Sequence, residues 1–296
     1  MKAVIPVFCL FWLLGPAAGW ADVAEIQQLQ QLYRHVMSER SDSVTVLPFR
    51  IESSEIGGRL GADVYGVVEQ PFDKVTNSLS DTTSWCEFIP LNLNIKSCIT
   101  QRHAGQTLLT FYAGRKYYEA PESAYQIHYI YHMAETNPGY LKIGLYAPEG
   151  PFNTRDYSII IEAMPADGHT FLRIHSSYET SFSSRLGTRI YLATLGQDKV
   201  GFSMQRGGNN VAPSYIKGIR GVIERNVMRY YLALKAFLDT NTLAPAQRFE
   251  ARIRSWYDMT EMYPVQLHEL ERDDYLDSKR RERVNQQRLQ QMVVDS

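Results

Sequence analysis

Apolar residues recur at three- and four-residue spacing through residues 214–239, and this period predicts one long helix. The apolar stripe contains Ile219, Ile223, Asn226, Tyr230, Ala233 and Phe237. The charged residues Arg220, Glu224, Arg225, Arg229 and Lys235 fall mostly off this stripe, where we expect them to face solvent. At about 1.5 Å per residue the helix would be about 39 Å long, which is enough to cross a whole domain.

Two features of this predicted helix need an explanation. Asn226 places a polar side chain in the middle of an apolar stripe, one turn before the phenol of Tyr230. Gly218 and Gly221 lie in the first turns, where each glycine costs about 1 kcal/mol relative to alanine. We interpret the glycines as positions at which the backbone approaches another segment closely.

Before the helix, the hydrophobic period changes to two, which predicts strands. The first strand starts at Arg59, and Pro71 then opens a short helix that is followed by a second one. Further strands are predicted at residues 107–113, 125–135, 140–146, 157–163, 170–178, 188–194 and 200–205. Turn residues such as Asn137, Pro138 and Gly139 lie between several of these strands, so the pattern predicts an antiparallel sheet. The predicted fold class is α+β.

Alternation assigns faces to the strands. In residues 170–178, Leu172, Ile174 and Tyr178 lie on one face, and Arg173 and His175 lie on the other. An apolar face has to be covered, and the long helix is the natural cover. The open question at this level is whether the space beneath the helix is solid core or a pocket.

Three further segments flank this unit. Residues 22–39 predict an amphipathic helix, and Pro245 opens a helix that carries Phe249, Ile253 and Trp256 on one face. In residues 265–296 apolar residues become sparse and charges of both signs crowd together, which predicts a solvated helical or disordered tail. The predicted organisation is residues 1–21 as signal peptide, 22–54 as helix and linker, 55–240 as the main domain, 241–264 as an accessory helix, and 265–296 as the tail.

The N-terminus has the pattern of a secretory signal. Lys2 precedes an uncharged apolar run at residues 3–14, and Gly19 and Ala21 are the small residues that a signal peptidase reads. Cleavage after Ala21 would place the protein in the periplasm of a Gram-negative host or outside the cell. An uncleaved anchor is the alternative.

Export would leave two cysteines, Cys86 and Cys98. An even pair in an oxidising compartment favours a disulfide, and closing this short loop would stabilise the fold by about 3 kcal/mol. The alternatives are two buried thiols or a metal pair, although His103 is the one histidine nearby and makes a poor zinc set with them.

The composition limits the classes of molecule that the protein is expected to bind. With 296 residues, a net charge of −1 and no basic excess, the chain is not expected to bind nucleic acid. Nineteen tyrosines against twelve phenylalanines is the one skew. Tyrosine suits pockets of mixed polarity, but it also favours strands.

Motifs for catalysis are not found. His128 and His132 have the spacing of a helical metal pair, but their segment alternates like a strand, in which they would lie about 13 Å apart. No G-x-S-x-G, P-loop or G-x-G-x-x-G pattern occurs in the sequence. We therefore assign no catalytic residue, no metal and no cofactor.

Two segments carry a resemblance to a known family. VYGVVEQPFDKVTNSLSDTTSWCEFIPLNLNIKSC resembles the opening strand and two short helices, the second carrying Trp85, and RGVIERNVMRYYLALKAFLD resembles the gripping helix. The chain resembles the START-like, or Bet v 1-like (SRPBCC), superfamily over roughly residues 55–240, as an exported bacterial member. That resemblance implies a helix-grip fold, in which a curved antiparallel sheet wraps around a long C-terminal helix and leaves a cavity for a lipid, sterol or polyketide. Some relatives are cyclases, dehydratases or hydrolases.

The leading hypothesis is therefore an exported protein that binds or transfers a hydrophobic small molecule or lipid. Its candidate ligand-binding residues are Ile223, Asn226, Tyr230, Phe237, Tyr178, Leu172 and Ile174, with Asn226 and Tyr230 as polar anchors. The alternatives are a cyclase or hydrolase acting in the same cavity, or an interaction module with a filled cavity. Transient membrane contact and a protein partner for the tail are left open. Asn226 could equally be a satisfied core residue or face solvent at the helix edge.

Overall fold

A computed structural model describes residues 23–38, 48–180, 199–205 and 212–294. The helices are α1 (Val23–Ser38), α2 (Phe72–Ser80), α3 (Thr82–Phe88), α4 (Gly218–Thr240), α5 (Pro245–Glu261), α6 (Pro264–Leu267) and α7 (Arg272–Val294). The strands are β1 (Phe49–Ile56), β2 (Arg59–Val68), β3 (Ile95–His103), β4 (Gln106–Ala113), β5 (Tyr125–Asn137), β6 (Tyr140–Glu149), β7 (Arg155–Ala166), β8 (His169–Glu179), β9 (Met204–Gln205) and β10 (Ser214–Tyr215). The predicted signal peptide and the strand predicted at residues 188–194 lie outside the described residues.

Eight strands form one antiparallel sheet in the order β1-β2-β8-β7-β6-β5-β4-β3. The strands from β3 to β8 follow one another as a meander, and the turns that join them are short except for the longer connection between β4 and β5. β2 pairs with β8, so the first hairpin closes against the last strand, with Val64 opposite Ile174. The antiparallel sheet predicted from the alternating pattern is confirmed.

The helix α4 lies across the concave face of this sheet. Tyr231 reaches from α4 to β2, where its hydroxyl donates to the carbonyl of Val67 at 2.9 Å. Gly66 makes room for that ring, because a Cβ at this position would lie 2.5 Å from the Tyr231 hydroxyl. A curved antiparallel sheet that packs around a long C-terminal helix is the helix-grip fold, so this prediction is confirmed.

The outer face of α4 is covered too, and the expectation that its charged residues face solvent is wrong for most of them. Glu224, Arg225, Arg229 and Lys235 are at most 7% exposed. The segment 199–205 lies over the helix, with Glu224 Oε2 accepting the backbone N–H groups of Phe202 and Ser203 at 2.7 and 2.9 Å. From α5, the indole of Trp256 donates to the Arg229 carbonyl at 3.1 Å. Segments distant in sequence therefore bury a helix face that its charged residues predicted to be exposed to solvent.

The two glycines at the start of α4 have separate roles. Gly218 has a φ of 69°, a conformation that glycine adopts without strain. Gly221 faces the crossing segment, where a Cβ would lie 3.1 Å from both the Gly201 nitrogen and the Ile216 carbonyl oxygen. The predicted close backbone approach occurs at Gly221.

The convex face of the sheet is covered by α1. Leu29 and Val36 of α1 are buried against a second apolar cluster that includes Phe171 of β8. Tyr33 contacts the Phe171 ring edge-on with centroids 5.3 Å apart. α4 thus covers the concave face, and α1 covers the convex face over β2, β7 and β8, whereas His128 of β5 and Tyr146 of β6 are exposed.

Both ends of the main unit differ from the predicted boundaries. β1 pairs with β2 along its whole length, so the predicted boundary at residue 55 falls inside the first strand of the sheet. The segment expected to be a solvated helical or disordered tail contains α7, which packs against β3 and buries Tyr275 and Leu276. Among the described helices, none combines the length and apolarity needed to cross a bilayer.

Candidate functional site

Four tyrosines converge between the concave face of the sheet and α4. Tyr157 of β7 stacks on Tyr178 of β8 with ring centroids 5.0 Å apart, and Tyr129 of β5 meets Tyr157 edge-on at 6.5 Å. Tyr230 of α4 lies close enough to Tyr129 and Tyr157 for these phenols to raise one another's pKa. Alternation along the three strands points these rings to one face, and the curvature of the sheet brings them together. We call these four residues the tyrosine cluster.

The hydroxyl groups of the tyrosine cluster are not equally bonded. The Tyr157 hydroxyl lies 2.7 Å from Thr154 Oγ1, and the Asn226 side chain lies beside Tyr230 and lowers the pKa of its phenol. Among the described residues, no hydrogen-bond partner is found for the hydroxyls of Tyr129 and Tyr178. Neither oxygen is among the fully enclosed atoms without a partner, so both keep some accessible surface and are available to a bound molecule.

Burial keeps these phenols in their neutral form. It raises the pKa of Tyr230 to about 12, although the Asn226 hydrogen bond acts in the opposite direction. Burial also raises the pKa of Tyr129 well above its usual value, and that of Tyr178 is raised for the same reason. At physiological pH the cluster therefore offers hydroxyl groups that donate and accept hydrogen bonds, and it carries no negative charge.

Asn226, the polar residue of the helix stripe, is bonded within the protein. Its Oδ1 accepts from Asn92 Nδ2 at 3.1 Å. Asn92 is fully buried at the end of the 3-10 turn Ile89–Leu91. Asn226 is thus held through its amide oxygen, and it borders the tyrosine cluster one turn before Tyr230.

The other residues predicted for the site divide into two groups. Leu172, Ile174 and Ile223 are at most 1% exposed and belong to the core that packs α4 onto the sheet. Phe237 lies elsewhere, because its ring contacts Phe88 at 5.8 Å and Arg252 stacks over it at 4.6 Å. The structure therefore does not bring Phe237 to the tyrosine cluster, although it lies on the same helix stripe.

Sequence reasoning missed three residues of this region. Tyr129 and Tyr157 lie on strands that were predicted. Each lies two residues from a buried isoleucine, Ile127 or Ile159, and therefore on the same face, which was the available signal. Asn92 lies between a 3-10 turn and β3, and no local pattern marks it. The excess of tyrosine in the composition was the general signal for a cluster of this kind.

The remaining candidate chemistry is structural. Cys86 of α3 and Cys98 of β3 form the predicted disulfide, with Cα atoms 4.9 Å apart. His128 lies on β5 as predicted, and its Nδ1 is 3.0 Å from Thr110 Oγ1. Within the described part of the chain, no group of three or more His, Cys, Asp or Glu side chains could hold a metal ion.

A groove of about 1360 Å³ opens outside the sheet, between α3, β3 and α7. Its lining includes Asp81, Glu87, Arg102 and Arg283. Polar and charged walls do not suit a hydrophobic ligand, because an apolar molecule would displace their water without replacing its hydrogen bonds. We therefore place the candidate ligand site at the tyrosine cluster.

No protein-family model and no curated protein matches the chain. Three solved structures with the same general fold are similar to it. A protein of Thermus thermophilus is 15% identical, with 62% of this chain and 99% of that chain covered and a TM-score of 0.40. A STAR-related lipid transfer protein of Xanthomonas axonopodis is 8% identical, with 53% and 90% covered and a TM-score of 0.36. The Zhui aromatase/cyclase of Streptomyces sp. R1128 is 10% identical, with 71% and 94% covered and a TM-score of 0.31. Likenesses this distant do not indicate what the chain binds.

Proposed function

We propose that the protein binds a hydrophobic small molecule or lipid between the concave face of the sheet and α4. The observation that carries this proposal is the pair of tyrosine hydroxyls, on Tyr129 and Tyr178, that lack a partner among the described residues. An oxygen atom of a ligand would satisfy both donors, while apolar walls supply affinity at about 25 cal/mol per Å² buried. Leu172, Ile174 and Ile223 are the apolar residues that we propose as these walls.

Catalysis in the same site finds less support. A cyclase or hydrolase would need a titratable residue with a pKa near its working pH. The side chains gathered at the cluster are phenols, whose pKa values are raised by burial, and the Asn226 amide. Binding or transfer is therefore the function that we put forward.

The test begins with protein purified gently from its own host. Native mass spectrometry should show a bound mass that organic extraction releases, and the extracted protein should take up the neutral dye Nile red. Finding the apo mass alone, together with no uptake of Nile red or fluorescent sterols, would contradict the proposal. It would favour a cavity filled by side chains instead.

A matched pair of variants locates the binding site. Tyr178→Phe removes one unpartnered hydroxyl of the cluster and should weaken Nile red binding several-fold, since a net hydrogen bond is worth about 1 kcal/mol. Tyr146→Phe removes a hydroxyl on the sheet surface, where it donates to Asp156 at 2.9 Å, and should leave binding unchanged. Equal affinities for the two variants would move the site away from the cluster.

We further propose that the protein acts outside the cytoplasm. The N-terminal apolar run and the Cys86–Cys98 disulfide support this location, because disulfides persist in oxidising compartments. Cell fractionation with N-terminal sequencing of the mature protein provides the test. An intact N-terminus in the cytoplasmic fraction would contradict it.

A further inference from the structure

The helix α7 buries a polar face against the main domain. Lys279, Glu282 and Gln286 are at most 7% exposed, although they come from the most highly charged segment of the chain. Buried polar side chains of this kind persist where each one finds a partner. The partners of this face are backbone groups of α3, of β3 and of the turn before β3, together with the Lys96 side chain.

Two glutamines of α7 bond the open edge of β3. Gln286 accepts from Cys98 N at 3.0 Å, and Gln290 accepts from Thr100 N and donates to Thr100 O, both at 2.8 Å. Four residues of helix rise by about 6.0 Å and two residues of strand by about 6.6 Å, so the two spacings match. The amides thus occupy backbone groups that an edge strand otherwise leaves unpaired.

One turn earlier, α7 holds the turn before β3 through a buried charge cluster. Lys279 Nζ donates to the carbonyls of Asn92 and Ile95, both at 3.0 Å, and to Glu282 at 2.7 Å. Glu282 also pairs with Lys96 at 2.9 Å, and all three charged side chains are at most 3% exposed. Burial lowers the pKa of Lys279 to about 8, against the opposing charge of Glu282. The three acceptors fix the position of the Lys279 ammonium group and of the backbone at Asn92.

Asn92 joins this cluster to the candidate ligand site. Its carbonyl accepts from Lys279, its Oδ1 accepts from Asn94 N at 3.1 Å, and its Nδ2 donates to Asn226. Asn226 lies one helical turn before Tyr230 of the tyrosine cluster, close enough to lower the pKa of that phenol. Hydrogen bonds therefore run from Glu282 through Lys279 and Asn92 to Asn226, and Asn226 borders Tyr230.

We propose that Asn92 and Lys279 are positioning residues for the ligand site, through which docking of α7 sets the orientation of Asn226 beside Tyr230. Ligand affinity is then linked to the contact between Lys279 and Asn92, and not to the bonds that α7 makes to Thr100. Part of this inference rests on the proposed function, since it concerns the affinity of that same site. The hydrogen-bonded path itself does not depend on any ligand.

The first arm of the test measures Nile red affinity in the full chain. Lys279→Met keeps the apolar stem and removes the ammonium group, and Asn92→Ala is a second, smaller change in case the first fails to fold. Each should weaken binding about five-fold or more, the lower end of usual coupling between sites. Gln290→Leu is the control, because it loosens α7 from Thr100 without touching Asn92, and it should stay within about two-fold of wild type.

The second arm needs no ligand. Hydrogen exchange of residues 279–290 should become faster in Asn226→Leu, since the change breaks the path at its far end. Thr240→Val, which removes another buried hydroxyl on α4, should leave the exchange of α7 unchanged. This comparison separates a specific path from a general loss of stability.

The outcomes distinguish the two proposals. Unchanged affinity in both Lys279→Met and Asn92→Ala would overturn the positioning role, as would an equal loss in Gln290→Leu. If wild type does not bind Nile red, the proposed function fails, and the exchange arm alone decides whether the path exists. Unchanged exchange of α7 in Asn226→Leu would then overturn the path as well.

Discussion

The sheet carries a polar cluster on each face, and the two clusters differ in charge and in bonding. On the convex face, beneath α1, Arg173 pairs with Asp63 at 2.7 Å and with Glu162 at 2.5 Å. Glu162 also accepts from the Tyr140 hydroxyl, and His175 Nδ1 lies 3.0 Å from Asp63 Oδ1. We call these five residues the convex network. Each of its charges has a partner of opposite charge or a hydrogen bond.

The tyrosine cluster on the concave face is neutral and incompletely bonded. Two of its four hydroxyls have no partner in the described part of the chain, and α4 covers it. A closed network of ions stabilises a fold but has no bonding capacity left for a ligand, whereas unsatisfied neutral donors retain it. The difference favours a structural role for the convex network, and it supports the binding role that we propose for the tyrosine cluster.

Breaking the convex network should have the largest effect on stability. Arg173→Met leaves Asp63 and Glu162 without their cation, and we expect the free energy of unfolding to fall by about 2–3 kcal/mol. Loss of one partner from a fully buried pair costs about 3–5 kcal/mol, and the Arg173 side chain is 32% exposed. Urea denaturation followed by circular dichroism measures the change.

Arg155→Met serves as the control for that substitution. Arg155 also pairs with a carboxylate, Glu179, but its side chain is 70% exposed, so the loss should stay below about 1 kcal/mol. Similar losses in the two variants would show that the convex network adds little beyond a surface ion pair.

Removal of one tyrosine hydroxyl should affect stability differently on the two faces of the sheet. Tyr140→Phe removes a hydrogen bond to the Glu162 carboxylate, and such bonds contribute about 1.5–3 kcal/mol. Tyr129→Phe removes a hydroxyl without a described partner, so the free energy of unfolding should change by less than about 0.5 kcal/mol. Parallel denaturation of the two extracted, ligand-free proteins makes the comparison. A large loss in Tyr129→Phe would mean that its hydroxyl is bonded within the protein.

Ligand affinity should reverse this ranking. Tyr129→Phe should weaken Nile red binding about ten-fold, or about 1.4 kcal/mol, because the protein no longer offers the dye the hydrogen bond of the Tyr129 hydroxyl. Tyr140→Phe should bind like wild type, provided that the assay is run well below its denaturation midpoint. Fluorescence titration measures both, and a ranking that follows stability instead would remove the distinction between the two faces.

These expectations depend on features that differ in how readily sequence reveals them. The period of the apolar stripe predicted α4, and alternation along β8 correctly placed Leu172 and Tyr178 on the concave face. Period alone could not predict which concave residues meet, because curvature brings Tyr129 and Tyr157 together across strands. The period also assigned Phe237 to the site. Phe237 lies two helical turns beyond Tyr230, where it contacts Phe88 and Arg252 instead.

Burial of charge was the harder problem. Glu224 and Arg229 read as solvated because their partners, Ser203 and Glu269, are distant in sequence. Lys279 and Glu282 read as part of a solvated tail for the same reason, although their bonds to the turn at Asn92 fix α7 in place. Such positions are set by tertiary packing, and a single sequence carries no local signal for it.

Alkaline titration should give the smallest but most direct contrast between the cluster and ordinary tyrosines. Burial raises the pKa of Tyr230 from 10.0 to about 12, so its phenolate should form about two pH units later than that of an exposed tyrosine. A pKa raised on folding gives stability that is complete below pH 10.0 and is lost as the pH rises to about 12. Tyr230→Phe should therefore lose less stability than wild type over this range, by about 1 kcal/mol at about pH 11. Denaturation across the range measures that difference, and an identical alkaline loss in both proteins would place Tyr230 in contact with solvent.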